Sequence, residues 1–181
     1  MVAKRRRSAG FTLVELMVVV TIVGVLATLA GVAFQRYIHA SHVSEATAMI
    51  GSIRGAQESY RSMHLVYLDV SATFPTYYPS TSPGAFATAW PDAGFSHVDQ
   101  SRWALLGARS DSPTHFGYAV AAGMAGTTPP TLSIASPPAW ATTIEPWFIV
   151  EAKGDLNGNG VPCYVVGTSF TGEIFVQSEG E

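Results

Sequence analysis

The chain has 181 residues, 48% of them hydrophobic and only 13% charged, with a mean hydropathy of +0.23 and a formal net charge of −3. That length suffices for one domain with its own core, and the charged fraction is low for a soluble domain. Lys4, Arg5, Arg6 and Arg7 are four of the ten cations, so the rest of the chain sets six cations against thirteen acids; that balance excludes a phosphate-binding surface for DNA, and the single cysteine, Cys163, excludes an intramolecular disulfide.

The first element follows the basic cluster. Residues 16–34, LMVVVTIVGVLATLAGVAF, run for nineteen positions without a charge. A helix of about 20 residues crosses the hydrocarbon core of a bilayer. Cations just before such a run hold that end in the cytoplasm, so the C-terminal part is expected to be exported. A secretory signal peptide, cut after Gly31-Val32-Ala33, is one alternative, but its apolar core usually spans about 7–15 residues, shorter than this one. A plain membrane anchor for a periplasmic binding domain or enzyme is another.

The helical pattern does not stop at the apolar run. Ala46, Met49, Ile50, Ile53, Ala56, Tyr60 and Met63 recur at steps of three and four, with Glu45, Arg54, Glu58 and Arg61 between them, and no proline precedes Pro75. The spacing predicts one helix from Phe11 to near His64, about 75 Å long. Residues 11–34 form its membrane-spanning half and 35–64 its amphipathic half. Glu15 stands just inside the apolar half. A charge at the bilayer centre costs about 2.5–3.5 kcal/mol, less near the end of a span. In a first helical turn a carboxylate also suits the macrodipole.

The stretch GFTLVELMVVVTIVGVLA, behind its basic leader, resembles the N-terminus of type IV pilins and pseudopilins. The resemblance implies a cytoplasmic leader, residues 1–10, removed by a prepilin peptidase between Gly10 and Phe11. It implies N-methylation of Phe11 and places Glu15 at the family's glutamate. Cleavage would expose an α-amine at Phe11, mostly protonated at neutral pH. The family pairs the glutamate of one subunit with that amine on a neighbour. Inside a bundle of apolar helices a matched pair is far less costly than a lone charge, so Glu15 is expected to set subunit register. Where many members carry a proline this chain has Val32. Gly24 and Gly31 either loosen the helix there or allow close helix packing.

After His64 the texture changes. Pro75, Pro79, Pro83 and Pro91 exclude a long helix or a central strand, so residues 65–114 are expected to form a loop region. Its aromatics, Phe74, Tyr77, Tyr78, Phe86, Trp90 and Phe95, are expected to build a small core against the helix rather than an adhesive surface. SRWALLGARSD reads as a short helical turn with Trp103, Leu105 and Leu106 inward. Residues 115–181 read as β: HFGYAVAA alternates Phe116, Tyr118 and Val120, and WFIVEAKG, PCYVVGTSF and EIFVQSE follow over short turns. TLSIA, residues 131–135, is a further candidate strand. The fold class is therefore α+β, a long N-terminal helix packed on one apolar face of an antiparallel sheet of about four strands.

Three features raise chemical questions. Asp155, Asn157, Asn159 and Gly160 in GDLNGNG match the opening of a calcium loop, but the closing glutamate is replaced by Val166. A tight turn is the simpler reading, Asn-Gly being a strong turn signal, so no cofactor is expected. The histidines, His39, His42, His64, His97 and His115, form no H-E-x-x-H pair; His39 and His42, three apart on a helix, could share a metal but are read as a solvated or membrane-proximal pair. Cys163, in a predicted strand, reads as a buried, inert thiol. No catalytic signature appears, and the chain is read as a non-enzyme.

The expected function is structural: a subunit of a type IV pilus-like filament, a homo-oligomer assembled through its N-terminal helix. A pseudopilin of a type II secretion system and a minor priming pilin are the alternatives within the family. The resemblance implies an inner-membrane precursor with a cytoplasmic N-terminus, then an extracellular fimbrium or periplasmic pseudopilus. It also implies the peptidase, an assembly ATPase and a platform protein as partners.

Overall fold

The computed structural model describes residues 10–91, 97–137 and 144–179. The element order is α1 (Leu13–His64), α2 (Gln100–Leu106), β1 (Gly117–Gly123), β2 (Trp147–Gly154), β3 (Cys163–Thr168) and β4 (Ile174–Gln177). The chain divides into two compact units, residues 1–38 and 39–181.

The first unit holds the apolar half of α1. Its run is rich in valine, a weak helix former in water, but a helix is the one single-segment conformation that satisfies every backbone group in lipid. The polar interruptions are self-satisfied. Thr21 Oγ1 donates to Met17 O at 2.8 Å and Thr28 Oγ1 to Val25 O at 2.7 Å. Neither hydroxyl needs water.

The second unit is the head. The four strands form one antiparallel meander in the order β1-β2-β3-β4, as the sequence predicts. Val43, Ala46, Met49, Ile50 and Ile53 of α1 join Tyr118, Val120, Phe148, Val150, Ala152, Cys163 and Val165 in one buried core. Gly167 permits the close approach: a Cβ there would lie 2.4 Å from Ile50 Cγ2. Arg54, next along α1, donates through its guanidinium to Thr168 O at 2.8 Å, Thr171 O at 2.7 Å, Gly172 O at 3.2 Å and Glu173 O at 3.3 Å. One side chain thus ties the β3–β4 turn to the helix.

The inward stripe of α1 ends earlier than its spacing predicts. Ala56 is partly buried, but Met63 is exposed. Gln57 takes over instead: fully buried, it donates Nε2 to Leu68 O at 2.8 Å and accepts from Leu68 N at 2.9 Å. That two-way amide pair fixes the chain as it doubles back.

Three expectations are corrected. Leu105 does not pack inward; it is 61% exposed, whereas Trp103 and Leu106 are buried. The latter two are three positions apart and share a helix face that Leu105 cannot reach. Phe86 is exposed rather than part of the core against the helix, which holds Tyr78 and Trp90; Tyr77 reaches Glu151 and Phe74 packs on the sheet's second face instead; Phe95 lies outside the described residues. Residues 131–135 form no strand.

The failed strand still packs. Leu132 and Ile134 are buried against Ala121, Trp147, Ile149 and Val166 on the sheet's second face. Ser133 N donates to Glu151 Oε2 at 2.8 Å and Ala135 N to Gln177 Oε1 at 2.7 Å. Side chains replace the ladder here, and the sheet is buried on two faces rather than the one expected. Glu151 is fully buried on that second face; Tyr77 Oη donates to its Oε1. Burial first, and Glu151 second, push the Tyr77 phenol well above its ordinary range.

Candidate functional site

The N-terminal segment concentrates the chain's exposed apolar surface. Phe11 is 83% exposed and Leu13 80%, and the large side chains of the run stay uncovered through Phe34. No residue in the most apolar 18-residue window of α1 is buried. Scattered exposed leucines are normal on a protein, but a continuous apolar helix is not; it needs lipid or other protein to cover it.

At its start stands a local hydrogen-bonded pair that the sequence reading missed. Thr12 N donates to Glu15 Oε2 at 2.9 Å, Thr12 Oγ1 donates to the same oxygen at 2.7 Å, and Glu15 N donates to Thr12 Oγ1 at 3.2 Å. Thr12 precedes Leu13, the first helical residue, so this is a capping box, and T-x-x-E was its readable signature. Glu15 therefore has a job within its own chain, satisfying end-of-helix donors. Gly10 and Phe11 lie just before the cap and are exposed. The basic cluster and the rest of the leader, residues 1–9, lie outside the described residues.

Residues 5–31 match the family described as the prokaryotic N-terminal methylation motif. Fimbrial protein EcpC of Eikenella corrodens is 47% identical over 53 residues, 29% of this chain and 35% of the relative. Type IV major fimbrial protein FimA of Dichelobacter nodosus is 48% identical over 50 residues, 28% of this chain and 32% of the relative. Through this N-terminal segment, and over that segment alone, the chain is similar to type IV fimbrial and pilin proteins. Type IV major pilin protein PilE of Neisseria gonorrhoeae is 41% identical over 58 residues, 32% of this chain and 35% of that pilin. The chain spans about a third of the length of the curated relatives it matches. No solved structure matches it.

The head brings together residues that are far apart in the sequence. Glu45 Oε2 lies 3.2 Å from His115 Nδ1 and 3.7 Å from His42 Nδ1. Glu45 Oε1 accepts from His115 N at 3.1 Å. The two imidazole centroids are 4.0 Å apart. Partial burial, and then the neighbouring His115, hold His42 below the usual imidazole range against the opposite pull of Glu45. Sequence reasoning singled out His39 with His42; the structure gathers Glu45 and His115 around His42. Only the i,i+3 spacing of His42 and Glu45 was legible beforehand.

The GDLNGNG turn is closed by its own side chains. Gly158 N donates to Asp155 Oδ1 at 2.8 Å and Gly160 N to Asp155 Oδ2 at 3.0 Å. Asn159 N donates to Asn157 Oδ1 at 2.9 Å and Val161 N to Asn159 Oδ1 at 2.7 Å. Gly158 and Gly160 have φ of 72° and 85°, values that glycine adopts without strain. Cys163 is fully buried in β3, and burial pushes its thiol up to about 11, so thiolate chemistry is suppressed. His97 holds a loop, with Nε2 at 3.1 Å from Tyr77 O.

Proposed function

We propose that this chain is a type IV pilin, a structural subunit of a type IV pilus-like filament. It is inserted in the inner membrane with its N-terminus in the cytoplasm. A prepilin peptidase cuts it between Gly10 and Phe11, Phe11 is N-methylated, and the chain is extracted into a helical homo-oligomer at the cell surface. The carrying observation is the uncovered apolar window of α1 in a segment that matches the methylation motif. Lipid contacts are exchanged for helix contacts of like apolarity, so extraction is nearly neutral in burial and its energy comes from an assembly ATPase and platform protein. The head's role is to pack on α1 and present a surface. The names of the relatives, fimbrial and pilin proteins, support a structural role rather than an enzymatic one.

In this reading Glu15 exchanges partners. In the single chain its carboxylate serves the Thr12 cap. After cleavage it also faces the Phe11 α-amine of a neighbouring subunit, and the matched pair sets axial register. Glu15→Gln separates the two roles, because glutamine serves a capping box as well as glutamate does. The variant should remain helical and membrane-inserted yet fail to form surface filaments by electron microscopy. Normal filament abundance with Glu15→Gln would reduce Glu15 to a helix cap.

A further inference from the structure

We propose that His42, Glu45 and His115 bind a divalent transition-metal ion of the zinc class, with the fourth position open to water. The site lies wholly within the head and stands apart from the filament reading.

Two imidazoles and one carboxylate make up a recurrent zinc donor set that leaves a position for water. At zinc–ligand distances of about 2.0–2.1 Å, neighbouring donors in a tetrahedron are about 3.3–3.4 Å apart. Glu45 Oε2 stands 3.2 Å from one imidazole nitrogen and 3.7 Å from the other. One candidate donor atom from each residue falls within 4.8 Å of both others. The two ring centroids are 4.0 Å apart, and binding one tetrahedral ion swings the rings apart to about 5 Å.

The donors are held from outside the set. The His115 backbone N–H donates to Glu45 Oε1, which leaves Oε2 directed at both rings. Such outer contacts orient ligands before the ion arrives. The side chains of His42 and His115 are 24% exposed and that of Glu45 33%, so ion and water have an entry path. Imidazole donors disfavour calcium and magnesium, which seek six or more oxygens. An ion here would staple α1 to the segment leading into β1, joining residues 70 positions apart.

The test uses the full-length chain without a polyhistidine tag, in detergent, stripped of metal by a chelator and dialysed. Zinc chloride should bind in a single micromolar-range event by calorimetry. At a hundredfold excess over Kd it should raise the melting temperature by about 5–10 °C. Cobalt chloride should give the intense visible bands of a four- or five-coordinate ion. His42→Gln and His115→Gln should each weaken zinc binding about tenfold or more, with His64→Gln unchanged. No saturable zinc binding by the unsubstituted chain, a weak octahedral cobalt spectrum, or an equal loss in His64→Gln would each overturn the proposal. The first two readouts need no variant to fold.

Discussion

Gly167 of β3 passes Ile50 of α1 so closely that an added Cβ would stand 2.4 Å from Ile50 Cγ2. The helix and sheet of the head therefore meet at a point where no other residue fits. Gly167→Ala should destabilise the head by about 1–3 kcal/mol through overpacking, read by chemical denaturation of the detergent-solubilised chain. Ile50→Val in the same background should recover part of that loss. An unchanged denaturation midpoint in the single variant would show that the contact relaxes freely.

Arg54 should matter through its fork as much as its charge. Its guanidinium reaches four carbonyls of the β3–β4 turn. Hydrogen bonds to charged groups contribute about 1.5–3 kcal/mol, so Arg54→Ala should cost roughly that much. Arg54→Lys should recover less than half, since an ammonium cannot span the turn. Hydrogen exchange should speed up first in β4, and equal stability of all three proteins would contradict the assignment.

How much of this was legible beforehand follows from where each interaction lies. α1 and the meander were readable because their burial follows local periods of three to four and of two. Leu132 and Ile134 obeyed the strand period too, but the donors of Ser133 and Ala135 bond to the side chains of Glu151 and Gln177, which no local pattern announces. Gln57 was hidden because a buried glutamine on an apolar stripe looks like a solvent-facing one. Leu105 misled because hydrophobic identity was read in place of helix phase. The meeting of His42 and Glu45 with His115 depends on how the head closes, whereas Thr12-x-x-Glu15 and the i,i+3 spacing of His42 and Glu45 were local signatures.

Cys163 gives a pH prediction. The thiol is fully buried, and its value rises from 9.0 to about 11 in the folded chain. The folded state thus holds the proton more tightly than the unfolded one. The resulting stability is fully present below pH 9 and is lost as pH climbs from there through about 11. A thiol-specific reagent at pH 8 should leave the native chain unmodified and label it promptly in denaturant. Rapid labelling of native protein would contradict the buried, neutral thiol.

The GDLNGNG turn should hold without an ion. Both Asp155 oxygens accept from backbone amides of the turn itself. Calcium chloride added to metal-stripped protein should leave the melting temperature unchanged. Asp155→Ala should cost about 0.5–1.5 kcal/mol by handing two exposed amides over to water, regardless of calcium. A calcium-dependent rise that Asp155→Ala abolishes would instead make the turn a calcium loop.

The filament reading rests on an apolar half-helix released from its leader. Mass spectrometry of the N-terminal peptide of protein purified from its native membrane or surface fraction tests this most directly. The account predicts a peptide beginning at Phe11 and carrying one methyl group on its amine. A peptide beginning at Met1, or at Phe34 after a cut following Ala33, would contradict it.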